Sequence, residues 1–278
     1  MNKQACNLCP HHCALAEGQV GFCHTRRNEG GQIKSLNYGR VTSLAIDPIE
    51  KKPLYHFYPG SVILSLGSFG CNMACPFCQN HTISQGGEQE VRWQISPEQL
   101  VELAQETSQQ HGSIGVAFTY NEPLLSYEYL RDTLPLLRQA GQKAVLVTNG
   151  QIEEEPLKEL LPYVDAMNID LKTFSEKTYA KLLGGSLQAA QRTIQMAAEA
   201  GVHVEVTTLV VTGISDDINE FCAEVDWLAS VNREIPLHLS RYFPRYQYKA
   251  PATQLDKLYE LQRIAQKRMK YVYLGNVG

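Results

Sequence analysis

From Ser61 to the end of the chain, short apolar runs alternate with longer stretches of helical period, and no other feature narrows the possible folds so far. Strand candidates are Val62–Leu66, Gly115–Thr119, Ala144–Thr148, Ala166–Leu171, Val202–Val211, Pro236–Ser240 and Tyr271–Leu274. Helix candidates lie between them, at Pro97–Gln110, Leu125–Ala140, Glu155–Leu161, Ser186–Ala200, Ile218–Ser230 and Thr253–Arg268. Ser96 and Pro97 read as a helix start, with serine as cap and proline in the first turn. Gly141 and Gly201 stand where left-handed C-terminal caps are expected. Such alternation implies a parallel sheet with right-handed crossovers. About six or seven units predict an α/β fold, a partial TIM-like (β/α)6 barrel, with its chemistry at the C-terminal ends of the strands.

The chain has 278 residues, 44% hydrophobic and 19% charged. That suffices for one large ordered domain and a small appendage. Residues 1–60 lack a long periodic segment and predict a cysteine-rich N-terminal module with short strands, Ile33 to Ile46 alternating in strand fashion. Pro48 and Pro53 mark turns before the barrel of residues 61–278. The formal net charge of −4 argues against nucleic acid as a partner. No apolar run approaches the ~18 to 20 residues of a membrane span. The polar N-terminus lacks the apolar core of a signal peptide, so a cytoplasmic protein is expected.

The eight cysteines fall into two groups and a singleton, a distribution that points to metal sites in a reducing compartment. Cys222 sits in an amphipathic stretch and reads as a small buried hydrophobe. Cys71, Cys75 and Cys78 follow the first barrel strand with the spacing C-x3-C-x2-C. Iron–sulfur cubanes usually take four thiolates, so three leave one iron open to a substrate or cosubstrate. The competing readings are half of a zinc site or a redox pair, with His81 as the candidate fourth ligand. Cys6, Cys9, Cys13 and Cys23 form a second group, C-x2-C-x3-C-x9-C. Four soft ligands close a tetrahedral zinc site or hold a second iron–sulfur cluster. The compact spacing and neighbouring turn residues favour zinc.

Polar residues mark the later strand ends. Asn168, Asp170 and Lys172 share one side of an extended chain. A buried Asp–Lys pair is costly unless well partnered, so Asp170 and Lys172 are expected in the lumen as catalytic residues. Glu205 and Thr207 share a face with His203; Glu205 is expected to face a cofactor and His203 to be structural. His238, on one face with Ser240, is the strongest histidine candidate for the pocket.

The segments CNLCPHHCALAEGQVGFCHTR, AIDPIEKKPLYHFYPGS, LGSFGCNMACPFCQN, FTYNEP, NIDLK and LHLSRYFP together resemble the AmmeMemoRadiSam-system radical S-adenosylmethionine (SAM) enzymes. These are relatives of the pyruvate formate-lyase activating enzymes. The resemblance runs from Cys6 to Gly278. It implies a [4Fe–4S] cluster on Cys71, Cys75 and Cys78, whose open iron takes the amino and carboxylate groups of SAM. It further implies reductive cleavage of SAM to a 5′-deoxyadenosyl radical that abstracts hydrogen, with an electron donor such as ferredoxin or flavodoxin. By the same resemblance Phe77 lies near the adenine, Glu122 pairs with the SAM ammonium, and Thr148 and Asn149 contact the ribose or methionyl portion. A protein substrate, attacked at a glycine, would follow the activating enzymes. Yet Tyr58-Pro59-Gly60-Ser61-Val62-Ile63-Leu64 stands where those enzymes carry Gly-x-Gly-x-Arg. The rival from another class is a non-catalytic, zinc-stapled scaffold that binds partner proteins.

Overall fold

Every expected apolar run becomes a strand of one eight-stranded sheet in the computed structural model, which describes residues 3–277. β1 (Ser43–Pro48) pairs antiparallel with β2 (Val62–Gly67). From β2 the strands run parallel and in chain order: β3 (Ser113–Phe118), β4 (Lys143–Thr148), β5 (Ala166–Asp170), β6 (His203–Val210), β7 (Leu237–Arg241) and β8 (Val272–Gly275). One principal helix follows each strand from β2 to β7: α1 (Pro97–His111), α2 (Tyr127–Gln139), α3 (Glu154–Leu160), α4 (Leu187–Glu199), α5 (Ile218–Asn232) and α6 (Leu255–Ala265). The result is the expected partial (β/α)6 barrel, with β1 and β8 as its unpaired edges.

The local signals act as physics requires. Ser96 accepts from Gln99 N while the Gln99 side chain returns to Ser96 N, a reciprocal capping box at α1. Helix α2 starts later than its apolar pattern suggested, because Pro123–Ser126 first forms a 3-10 turn. A short helix, Glu176–Thr178, and a π turn, Tyr179–Leu183, fill a stretch between β5 and α4 for which no element was expected. The sheet also begins earlier than residue 61. β1 lies within the expected N-terminal module but is hydrogen-bonded into the barrel from Ser43–Gly67 to Pro48–Val62. As an edge strand it is mostly half-exposed, so it carries no long apolar run to announce its place in the sheet.

The floor of the open barrel is closed by the segment around Tyr55. Glu205, on β6, is fully buried. It accepts from the backbone N–H groups of Tyr55 (3.0 Å) and His56 (2.7 Å), and lies 3.0 Å from His203 Nε2 and 2.6 Å from His238 Nε2. Asn168 Nδ2 donates to Pro53 O at 2.8 Å, and Thr207 Oγ1 donates to Asn168 Oδ1 at 2.9 Å. His56 Nε2 meets Tyr273 OH at 2.6 Å, so the same segment braces the far edge strand. Burial would raise the Glu205 pKa, but the hydrogen bonds from His203, His238 and the two backbone groups outweigh it and hold the carboxyl down to about 2.

Two outcomes follow from this packing. Glu205→Gln removes the charge that several donors converge on, and should cost on the order of 3 kcal/mol in denaturant unfolding; an unchanged midpoint would contradict the plug. Glu224, buried on α5 beside Thr208, is the opposite case: burial pushes its carboxyl up to about 8. A carboxyl raised from an unfolded value of about 4.5 leaves the fold most stable below that pH, with stability falling as pH rises toward about 8. Glu224→Gln should therefore raise the melting temperature at pH 8 and leave it nearly unchanged at pH 5, as read by calorimetry.

Candidate active site

The loop that leaves β2 must turn at once against the N-terminal module, and Gly70 makes this possible. Its φ is +86°, and a Cβ there would lie 2.3 Å from Thr25 Cγ2 and 2.5 Å from Cys23 O. Beyond the glycine the loop is tied to its surroundings by backbone hydrogen bonds. Gly70 N donates to Ile83 O (2.9 Å), Ala74 N to Leu183 O (2.8 Å), and Gln247 N and Tyr248 N both to Pro76 O (2.9 and 3.0 Å). Asn72 Nδ2 donates to Gln151 O at 2.7 Å. Held this way, Cys71, Cys75 and Cys78 line one pocket of about 280 Å³ at the C-terminal ends of the strands.

Among the described residues no histidine and no further cysteine lines that pocket. His81 turns away: its Nδ1 lies 3.3 Å from Cys78 O, and its ring stacks on Tyr246 at 4.3 Å. Among the described residues no three His, Cys, Asp or Glu side chains converge on a single point. The three thiols line the pocket wall without closing on a single point, as suits ligands to different corners of a cube. Burial pushes the Cys75 thiol up to about 11 and the Cys71 thiol upward as well. A bound metal centre supplies the positive charge that turns such thiols into thiolates. In count, chemistry and placement the trio therefore fits a cubane with one open iron.

Glu122 lies beside them, buried, between β3 and α2. Its carboxylate accepts from Thr148 Oγ1 (2.6 Å), Asn149 N (2.8 Å) and Leu124 N (3.0 Å), all neutral donors. Burial pushes its pKa up to about 7 despite these bonds. A cation brought into the pocket would restore its charge. Asn149 Nδ2 reaches Asn72 Oδ1 at 3.1 Å and Cys71 Sγ at 3.5 Å, so the β4 end touches the cysteine loop directly. Asp170 and Lys172 both line the pocket and pair at 2.9 Å. The Lys172 backbone N–H donates to the buried Tyr179 OH at 3.0 Å, which gives the unexpected π turn a supporting part in the site. Phe77 is buried in the pocket wall, edge-on to Tyr242 and Tyr248 at 6.5 Å each.

The structure thus brings Cys71, Cys75, Cys78, Phe77, Glu122, Thr148, Asn149, Asp170 and Lys172 together. Glu205 and His238 are not among them: both belong to the barrel floor, with the Tyr55 ring 4.7 Å from His238. Each sits on the lumen face of its strand, but two residues too early. At about 3.3 Å of rise per residue, that places them one layer deeper. Thr207 and Ser240, the next residues on the same faces, line the pocket instead. The alternation pattern contained that choice, since strand ends and not strand middles face the site. Asn276, which also lines the pocket in a left-handed conformation (φ 59°), gave no sequence signal.

Comparison with known proteins agrees with this geometry. A sequence profile described as the Radical SAM superfamily matches residues 66–227. The chain is 42% identical over 280 residues to an uncharacterised protein of Methanocaldococcus jannaschii, covering 99% of this chain and 82% of that protein. It is 28% identical over 151 residues to the pyruvate formate-lyase 1-activating enzyme of Escherichia coli (strain K12), covering 53% of this chain and 61% of the enzyme. The aligned region thus spans about three fifths of that enzyme's length. The crystal structure of a domain of pyruvate-formate lyase-activating enzyme from Bacteroides vulgatus superposes with a TM-score of 0.52 at 21% identity, over 58% of this chain and 99% of that domain, a likeness of fold. The profile covers more than half of the chain, from the end of β2 into α5 and through all three pocket cysteines, and the chain belongs to the radical SAM superfamily.

Proposed function

We propose that this chain is a radical SAM enzyme that cleaves SAM reductively and uses the resulting radical to abstract a hydrogen atom from its substrate. One observation carries the reading: three cysteines, with no histidine or fourth cysteine among the described lining residues, share a pocket wall with Glu122, a buried carboxylate whose protein partners are all neutral. Superfamily membership implies a [4Fe–4S] cluster and SAM. When bound, the cluster supplies the electron that breaks SAM into methionine and a 5′-deoxyadenosyl radical.

The chain's own residues orient and shield that chemistry. Cys71, Cys75 and Cys78 hold the cluster, and Glu122 receives the SAM ammonium through a charge-assisted hydrogen bond. Thr148 and Asn149 fix the Glu122 carboxylate and line the cofactor's place beside it. Phe77 gives the adenine an apolar wall. Asp170 and Lys172 stand near the reacting centre, paired with each other at 2.9 Å. Similarity to an activating enzyme favours a protein substrate, a glycine-bearing segment in particular, and an electron donor of the ferredoxin or flavodoxin type. The N-terminal cysteines hold a second metal. No helix among the described residues is long and apolar enough to cross a membrane, in keeping with a cytoplasmic enzyme. The zinc-stapled scaffold has no comparable observation in its favour.

Anaerobically reconstituted protein given dithionite and SAM should form 5′-deoxyadenosine, detected by chromatography, and Cys75→Ala should form none. Equal nucleoside from that variant would refute the assignment. Glu122→Gln should weaken SAM binding about tenfold, the ~1.4 kcal/mol expected for loss of one charge-assisted bond, with the cluster's visible absorbance retained. Unchanged affinity in the titration would remove Glu122 from the cofactor site.

A further inference from the structure

Cys6, Cys9, Cys13 and Cys23 lie outside the pocket, and no step described above uses them. We propose that these four residues ligate a second [4Fe–4S] cluster, placed to pass electrons to the SAM-cleaving one. The inference rests on the radical SAM reading only for the identity of the electron acceptor.

Three independent features of the quartet support it. The four cysteines line a single small cavity together with Leu8 and Arg26, and Cys6, Cys9 and Cys23 are buried. Yet among the described residues no three such ligands converge on one point, as a tetrahedral zinc ion demands. A cubane takes each thiolate at a different corner, and among the described residues neither the quartet nor the pocket trio forms a group closed around a single ion. The spacing alone favoured zinc; the lack of a ligand group closed on one point favours the cluster.

Arg26 supplies the second feature. It is buried, its Nη2 donates to Leu125 O at 2.9 Å and its Nη1 pairs with Glu128. Its Nε is also buried but has no hydrogen-bond partner among the described residues. A buried guanidinium N–H left unpaired is costly. Arg26 lines the cysteine cavity, and a thiolate-ligated cluster, an anion, offers the acceptor this donor lacks.

The third feature is contact between the two cysteine groups. The Asn72 backbone carbonyl meets the Nε2 of His11, which lies between Cys9 and Cys13 in the chain, at 2.9 Å. Asn72 is the neighbour of Cys71 in the chain, and Asn149 bridges the Asn72 side chain to the Cys71 sulfur. Gly70 packs directly on the Cys23 carbonyl. One residue therefore spans the two groups. A structural zinc ion gains nothing from that proximity, whereas electron transfer depends on it. In the step inferred, a low-potential flavin or iron–sulfur protein gives one electron to the N-terminal cluster, which is reoxidised as it reduces the SAM-cleaving cluster.

Metal analysis of the anaerobically reconstituted full chain should find about eight irons, four for each cubane, and no zinc. The variant with Cys71, Cys75 and Cys78 all changed to Ala should keep about four irons and a dithionite-reducible electron paramagnetic resonance signal that SAM does not alter. Zinc in place of that iron, or no metal at the quartet, overturns the proposal without touching SAM cleavage by the wild type. A wild type that shows only the SAM-insensitive signal would instead sink the radical SAM reading. Cys13→Ala, at the half-exposed rim of the cavity, should lose the SAM-insensitive signal and keep the SAM-sensitive one, which also reports its folding. Its nucleoside formation should fall about tenfold or more with reduced flavodoxin as donor and by less than about twofold with dithionite, which reaches the second cluster directly. Equal losses with both donors would overturn the relay.

Discussion

The site depends on one constraint: a nine-residue stretch from Gly70 to Cys78 must hold three thiols open toward a pocket while its backbone is pinned from behind. The pins come from far along the chain. Leu183 belongs to the π turn after β5, Gln151 to the β4 end, and Gln247 and Tyr248 to the segment after β7. A loop of this kind cannot be set by its own sequence, because free backbone groups would otherwise seek water or one another. The barrel strands bring the pins into place, and the Glu205 plug closes the barrel beneath them.

The lumen is layered accordingly. The floor is a hydrogen-bond network of Asn168, Glu205, His203 and His238 with the Pro53–His56 backbone. Its convergence on the buried Glu205 carboxylate ties the segment to the barrel. One layer higher, Glu122, Asp170 and Lys172 line the pocket with fewer partners. Groups whose hydrogen-bonding capacity is left over are the ones a ligand can engage.

Much of this was legible in the chain. The alternation of apolar runs and helical stretches marked every parallel strand from β2 to β8 and the helices α1 to α6 to within a few residues, because each run is buried and each helix has one apolar face. The cysteine spacing, Glu122 and the Asp170–Lys172 pair were legible because their chemistry is unusual at a strand end. Depth was not. Period-two alternation says which face a residue takes but not how far along the barrel axis it stands, and so Glu205 and His238 were placed one layer too high. Nor could residues 43–48 be known as a sheet edge, since an edge strand need not be apolar. The Tyr55–His56 plug joins residues about 150 positions apart, a contact that no local pattern encodes.

The central claim is that the cluster's open iron is kept for SAM. The most direct measurement is pulsed electron–nuclear double resonance on the reduced protein, with SAM carrying nitrogen-15 in its amino group and carbon-13 in its carboxylate. Both labels should show hyperfine coupling to the cluster of a size that requires direct ligation. A reduced cluster that shows neither coupling at saturating SAM would mean that the iron is closed by the protein, and would contradict the account.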